Sequence, residues 1–91
     1  MTEFDWDPAK ALGNRRKHRV DFADAATSFD DPRAITIRDP DASGEERFVC
    51  LASDVTGRVL VSVFTWRGSA IRIISSRRAS RRERARYLEG R

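Results

Sequence analysis

Lys10, Asn14, Lys17 and His18 recur at offsets of four, three and one residues, and on an α-helix those offsets bring all four side chains to one face. Histidine titrates near neutrality, and His18 is the only histidine in the chain. Beside Lys17 it pairs a proton carrier with a cation. Farther along, Glu46 adds a carboxylate, and Arg72, Arg77 and Arg78 add guanidinium groups, whose planar fork grips phosphate with two parallel bonds. Together these groups suit RNA scission by its own 2′-hydroxyl. That reaction needs a base at the hydroxyl, cations around the phosphorane and an acid for the leaving oxygen. The catalytic candidates are Lys17, His18, Glu46, Arg72 and Arg77, with His18 or Glu46 in acid/base work and Lys17 and Arg72 on the scissile phosphate. Lys10, Asn14, Arg67 and Arg78 are the candidates for further RNA contact.

Each of these residues also has a plainer reading. A histidine in the last turn of a helix is favoured there by the helix dipole alone, and Lys17 reads equally as a solvated lysine. Glu46 stands next to Arg47 and can form an ordinary surface ion pair with it. Arg72 is flanked by Ile71 and Ile73, which in a strand point to the core and send its side chain to the opposite face of the sheet. A cation in mid-strand favours a functional role. Trp6 and Trp66 could stack on bases, although Trp6 reads as readily as core. Cys50 is the single cysteine and falls in an apolar strand pattern, so it has no disulfide or metal partner and reads as a core thiol. No metal or cofactor is expected.

The charge is unevenly placed. Residues 67–91 hold nine Arg against two Glu, whereas residues 1–66 hold nine basic and twelve acidic residues. Only Lys10 and Lys17 are lysines among the 18 cations. The arginine-rich end points at a polyanion, or at an acidic partner. At 91 residues, 40% of them apolar, the chain is expected to be one globular domain spanning 1–91, near the lower size limit for a self-supporting core. No apolar run approaches a membrane span and the start lacks the features of a secretory signal, so a cytoplasmic protein with no membrane contact is expected.

The elements that must hold these residues are legible in outline. Phe4 to Trp6 can form a short strand. Asp7-Pro8 supplies a cap and a first-turn proline for a helix from about Pro8 to His18. Asp21 can cap a second helix, whose Phe22, Ala25, Ala26 and Phe29 recur at helical spacing, and Asp30-Asp31-Pro32 ends it. Between residues 34 and 76 the period becomes two: Ile35 and Ile37, then Phe48, Cys50 and Ala52, then Val59, Val61 and Val63, then Ile71 and Ile73. Turns at 39–44, 54–57 and 67–69 make this an antiparallel meander of four strands. Ser80-Arg81-Arg82-Glu83 is a capping box for a last helix to about Leu88. That helix has few apolar residues and is expected to be peripheral and frayed without a partner.

Two stretches, FDWDPAKALGNRRKHRVDFADAATSFDDP (4–32) and RIISSRRASRRERARYLE (72–89), carry a family resemblance. Trp6-Asp7, the helix with Lys10, Asn14, Lys17 and His18, Phe22 with Ala25-Ala26, Phe29-Asp30, Glu46-Arg47, and Arg72-Ile73-Ile74-Ser75 followed by Arg77, Ala79, Glu83 and Tyr87 resemble the BrnT family of RelE-like bacterial toxins. The resemblance implies an α+β, RelE-like fold: a mostly antiparallel four- to five-stranded sheet with two N-terminal helices and a C-terminal helix. It implies a type II toxin whose ribonuclease activity, cutting RNA and above all mRNA, inhibits translation and growth. It also implies a ribbon-helix-helix antitoxin of BrnA type in a hetero-oligomer that touches operator DNA only through the antitoxin. Arg81, Arg84 and Tyr87 are the antitoxin-contact candidates. Two other readings stay open: a non-catalytic RNA-binding module, and a structural co-repressor whose acidic segment 21–46 docks a basic partner. Two positions depart from the family's habit. Arg19 stands where Gly is common after Lys-His, which leaves the helix stop to be made at some cost, and Ser76 stands where Ala is usual.

Overall fold

Asp7 accepts the Ala9 N–H at 2.8 Å and Pro8 follows it, so the first helix starts as its sequence predicts. The computed structural model describes residues 2–90. In chain order the elements are β1 (Glu3–Asp5), α1 (Pro8–His18), α2 (Phe22–Ser28), β2 (Ile35–Arg38), β3 (Phe48–Ser53), β4 (Val59–Arg67), β5 (Ala70–Arg78) and α3 (Arg81–Glu89). The strands form one sheet in the order β1-β5-β4-β3-β2, antiparallel except where β1 joins β5 in parallel. This is the expected α+β architecture. No described helix is long and apolar enough to cross a membrane.

Directly opposed residues of an antiparallel pair share a face, which fixes the two sides of the sheet. Phe48, Cys50 and Ala52 oppose Phe64, Ser62 and Leu60 and lie under α1 and α2, in a core with Val20, Phe22, Ala25, Ile71 and Ile73. Aromatic rings extend it, with Phe29 edge-on to Phe64 at 5.0 Å and Trp6 edge-on to Phe22 at 5.9 Å. Burial pushes the Cys50 thiol up, against a smaller opposing effect of Thr36, and it remains a free core thiol. Strand pairing decides what alternation leaves open for the valines of β4. Val61 and Val63 oppose Leu51 and Val49, so Val59, Val61 and Val63 line the other face together with Ile35 and Ile37. Leu60 and Phe64 are the β4 residues in the helix-covered core.

One correction concerns α2. Asp21 has the extended backbone of a cap, but its side chain makes no capping bond; it lies 3.4 Å from Arg15 instead. The last helix, α3, has contacts at both ends. Its capping box is complete, and Tyr87, 6% exposed, packs with Leu51 and Val61 on the second face of the sheet. The Tyr87 hydroxyl donates to Asp31 in the turn after α2, and the same carboxylate oxygen accepts the Ser53 N–H. Burial would raise the Asp31 carboxyl, but these bonds and Arg33 hold it below its ordinary range.

Candidate active site

The polar face of α1 meets the sheet at an irregularity in β5. Val63 opposes Ser75 while the next residue, Phe64, opposes Ile73, so Ile74 is the extra residue of a β-bulge. β1 pairs only with residues 70–72, which leaves the outer edge of β5 beyond Arg72 without a strand. Asn14 closes it. Its side-chain NH2 donates to the Ser76 carbonyl at 2.8 Å and to the Val20 carbonyl at 3.1 Å, and its oxygen accepts the Ser76 N–H at 3.0 Å. One amide thus replaces the missing backbone partner. Inside, the Ser76 and Ser62 hydroxyls bond to each other at 2.9 Å.

With α1 fixed in this way, Lys10, Gly13, Asn14, Lys17 and His18 line an open cleft of about 280 Å³ whose other wall is Ile74 and Ser75 of the bulge. Lys10 and Lys17 are exposed and His18 is half-buried. α1 ends at Arg19, which adopts the left-handed conformation at φ 58° and turns its N–H onto the Arg15 carbonyl. The end of α1 is tied to the turn between β3 and β4 through Arg58. Asp54 accepts from the Thr56 and Arg58 N–H groups and from the Arg58 side chain, which also reaches Asp24 and the Arg19 carbonyl. Burial alone would push the Asp54 carboxyl up; the bonds from Thr56 and Arg58 hold it low.

The sheet arginines lie apart from this cleft. Arg72 opposes Thr65 and points away from the core, as its flanking isoleucines predict, but it pairs at 2.5 Å with Asp5, its register neighbour on β1. Arg77 opposes Val61 on the same face and is held bidentately by Glu83 of α3 at 2.7 and 2.9 Å. Their β4 partners are four residues apart, so the two arginines sit about 13 Å from each other along the strand. Arg78 is exposed and opposes Leu60, which places it on the α1 side of the sheet.

Of the remaining candidates, Glu46 is exposed and pairs with Arg38, while its carbonyl accepts the Thr65 hydroxyl. Arg67 lies 3.5 Å from Glu45. Neither reaches the cleft. Asn14 is 7% exposed with its amide committed to backbone, so its place in the helical pattern reflects a structural clamp. Tyr87 is buried against the sheet, whereas Arg81 and Arg84 are exposed. Trp6 is packed in the core and Trp66 is 48% exposed. Among the described residues no group of three or more His, Cys, Asp or Glu could hold a metal ion. Sequence reasoning missed Ser75 as a cleft residue and Asp5 as the partner of Arg72. The apolar doublet Ile73-Ile74, which breaks the period of two, was the available signal for the bulge; the Asp5 contact spans 67 positions and leaves no local trace.

Comparison with known proteins finds a matching family model and a similar solved structure. A family model described as ribonuclease toxin, BrnT, of type II toxin-antitoxin system matches residues 6–83, a span that takes in α1, the bulged strand and the start of α3. The crystal structure of the Brucella abortus ribonuclease toxin BrnT is similar with a TM-score of 0.69 at 25% sequence identity, covering 89% of this chain and 100% of that one. Comparison with curated proteins yields no match. Membership of such a system implies an antitoxin partner. With its sheet, its helices and nearly its whole length accounted for, the chain belongs to the BrnT family of ribonuclease toxins of type II toxin–antitoxin systems.

Proposed function

We propose that this protein is a metal-independent endoribonuclease that cuts RNA, chiefly mRNA, through 2′-hydroxyl attack and so inhibits translation and growth, and that a BrnA-type ribbon-helix-helix antitoxin silences it. The observation that carries this reading is the cleft in which Lys17 and His18 meet the β5 bulge. A phosphate seated there would have Lys17 to neutralise the phosphorane and His18 to move the proton of the hydroxyl or of the leaving oxygen. Arg72 commits one guanidinium nitrogen to Asp5, which fixes its orientation and leaves other N–H groups for RNA. Glu46 has no part in this mechanism, because Arg38 takes its carboxylate on the far side of the sheet.

The test is purified protein on a single-stranded RNA, with His18→Ala and Arg72→Ala beside the wild type. Cuts should carry 2′,3′-cyclic phosphate ends, persist in EDTA and vanish where the 2′-hydroxyl is removed. His18→Ala should lower the rate by about 10²- to 10⁴-fold, the range for a positioned general acid or base, whereas Arg72→Ala, altered outside the cleft, should weaken RNA binding with an unchanged circular dichroism spectrum. Undiminished cleavage by a folded His18→Ala variant would leave the cleft without a catalytic role. RNA binding without any cleavage would favour the non-catalytic reading.

A further inference from the structure

The second face of the sheet is only partly covered. Tyr87 anchors α3 over Leu51 and Val61, but toward β2 an apolar trough of about 270 Å³ stays open, floored by Ile35, Ile37, Val49, Leu51 and Val61. Ile37 is 55% exposed, an unusual state for an isoleucine pointing to the covered side of a strand. The trough runs into a groove along α3, where Ala85 lies between Arg82 and Arg86. Those two arginines have no ion-pair partner among the described residues. Of the carboxylates along this wall, Glu83 is already held by Arg77, which leaves Glu89 as the local countercharge. The surface is therefore an apolar floor with a cationic wall.

We propose that this trough seats a short amphipathic segment of the partner antitoxin, with its apolar side chains on Ile35, Ile37 and Val49 and its carboxylates against Arg82 and Arg86. The proposal rests on the toxin–antitoxin reading and goes beyond it by naming the surface. A chain of this family has an antitoxin as its partner, and an acidic, apolar-faced segment is the chemistry that complements both floor and wall. The docking flank of α3 is then the one bearing Arg82 and Arg86, not the one bearing Arg81 and Arg84, and Tyr87 contributes only from beneath. The trough lies over β2, β3 and β4, whereas the catalytic cleft is at the outer edge of β5. Two to three strand spacings separate them, roughly 10–15 Å. Anchoring and catalysis are consequently separable by mutation.

The experiment uses the product of the reading frame adjacent to this gene as the antitoxin, titrated calorimetrically against wild type, Ile37→Glu and Arg86→Glu. Each protein is also assayed for RNA cleavage and checked by circular dichroism and sedimentation. Both variants should lose at least roughly tenfold in antitoxin affinity, the effect of disabling a central interface contact, while cleaving RNA at the wild-type rate. Should Ile37→Glu misfold, Arg86→Glu, altered at an exposed side chain, decides alone. Wild-type affinity in the folded variants overturns the proposal. So does a wild-type dimer dissolved by Ile37→Glu, which would make a second copy the occupant, or lost cleavage at unchanged affinity, which would make it RNA. A wild-type chain that cleaves RNA but binds no antitoxin overturns the docking surface together with its partner. One that binds but does not cleave sinks the catalytic reading alone.

Discussion

Arg19 shows how one residue can carry a cost at the mouth of a site. Its φ of 58° is a region in which a side chain with a Cβ is disfavoured by roughly 1–2 kcal/mol, yet the chain leaves α1 there, just after the Arg19 N–H closes the last helical bond to the Arg15 carbonyl. Glycine would remove the penalty and return part of the gain as chain entropy. Arg19→Gly is therefore expected to stabilise the protein by roughly 0.5–1 kcal/mol, read as a higher urea midpoint at unchanged slope. A lower midpoint would mean that the Arg19 side chain makes a contribution larger than the strain. The same residue scale explains Asn14. Its spacing from Lys10, Lys17 and His18 is that of an exposed polar face, but its short amide fits the unpaired edge of β5, and burial followed from that fit.

At the scale of the element, α3 is tied down by charge at its start and by an aromatic ring near its end. Glu83 closes the capping box and also grips Arg77, and chiefly through the Arg77 hydrogen bond, then through the Ser80 N–H, its carboxyl is lowered from an ordinary 4.5 to about 2. A carboxyl whose folded value is depressed stabilises fully above its unfolded value and loses that contribution as pH falls through the folded one. The Glu83 contribution should thus be complete above pH 4.5 and gone below about 2. Asp31 and Asp54 are also held low and give a background loss in acid. Comparing wild type with Glu83→Gln isolates the one group: the variant should lose less stability between these limits in denaturant titrations at a series of pH values. Parallel curves would show that the Arg77–Glu83 pair does not hold α3.

Across the whole molecule, cations gather on the α1 face, along β5 and on α3, and several of them are already paired. Among the catalytic and RNA-contact candidates, Lys10, Lys17 and Arg78 are exposed with no ion-pair partner among the described residues, so they can neutralise phosphate without first breaking a protein contact. Each phosphate neutralised on a single strand contributes about −0.7 to the slope of log affinity against log salt. Three such contacts give a slope near −2 for binding of RNA by a His18→Ala form, by the same rule. A flat response would favour the structural co-repressor, whose docking would not depend on counterion release from RNA.

The sequence by itself determined the elements, because their signals are local: Asp7-Pro8 starts α1, Ser80 with Glu83 starts α3, and alternation marks the strands within a few residues of where they lie. It also carried the family, since Lys10, Asn14, Lys17 and His18 and the β5 run are short stretches with fixed spacing. What only the tertiary structure decided depends on contacts between distant residues. Period-two alternation says that Val59, Val61 and Val63 share a side but not which side, and strand pairing put them on the face away from α1 and α2. Arg72 met Asp5 through the parallel β1–β5 pairing, Arg77 met Glu83 when α3 docked, and Ser75 came to line the cleft where α1 packs on the bulged edge of β5. Of the acid/base candidates His18 and Glu46, only His18 came to line the cleft, and Glu46 paired with Arg38. A spacing along the chain fixes which face a side chain shares with its neighbours, and only the packing of those faces fixes which groups meet.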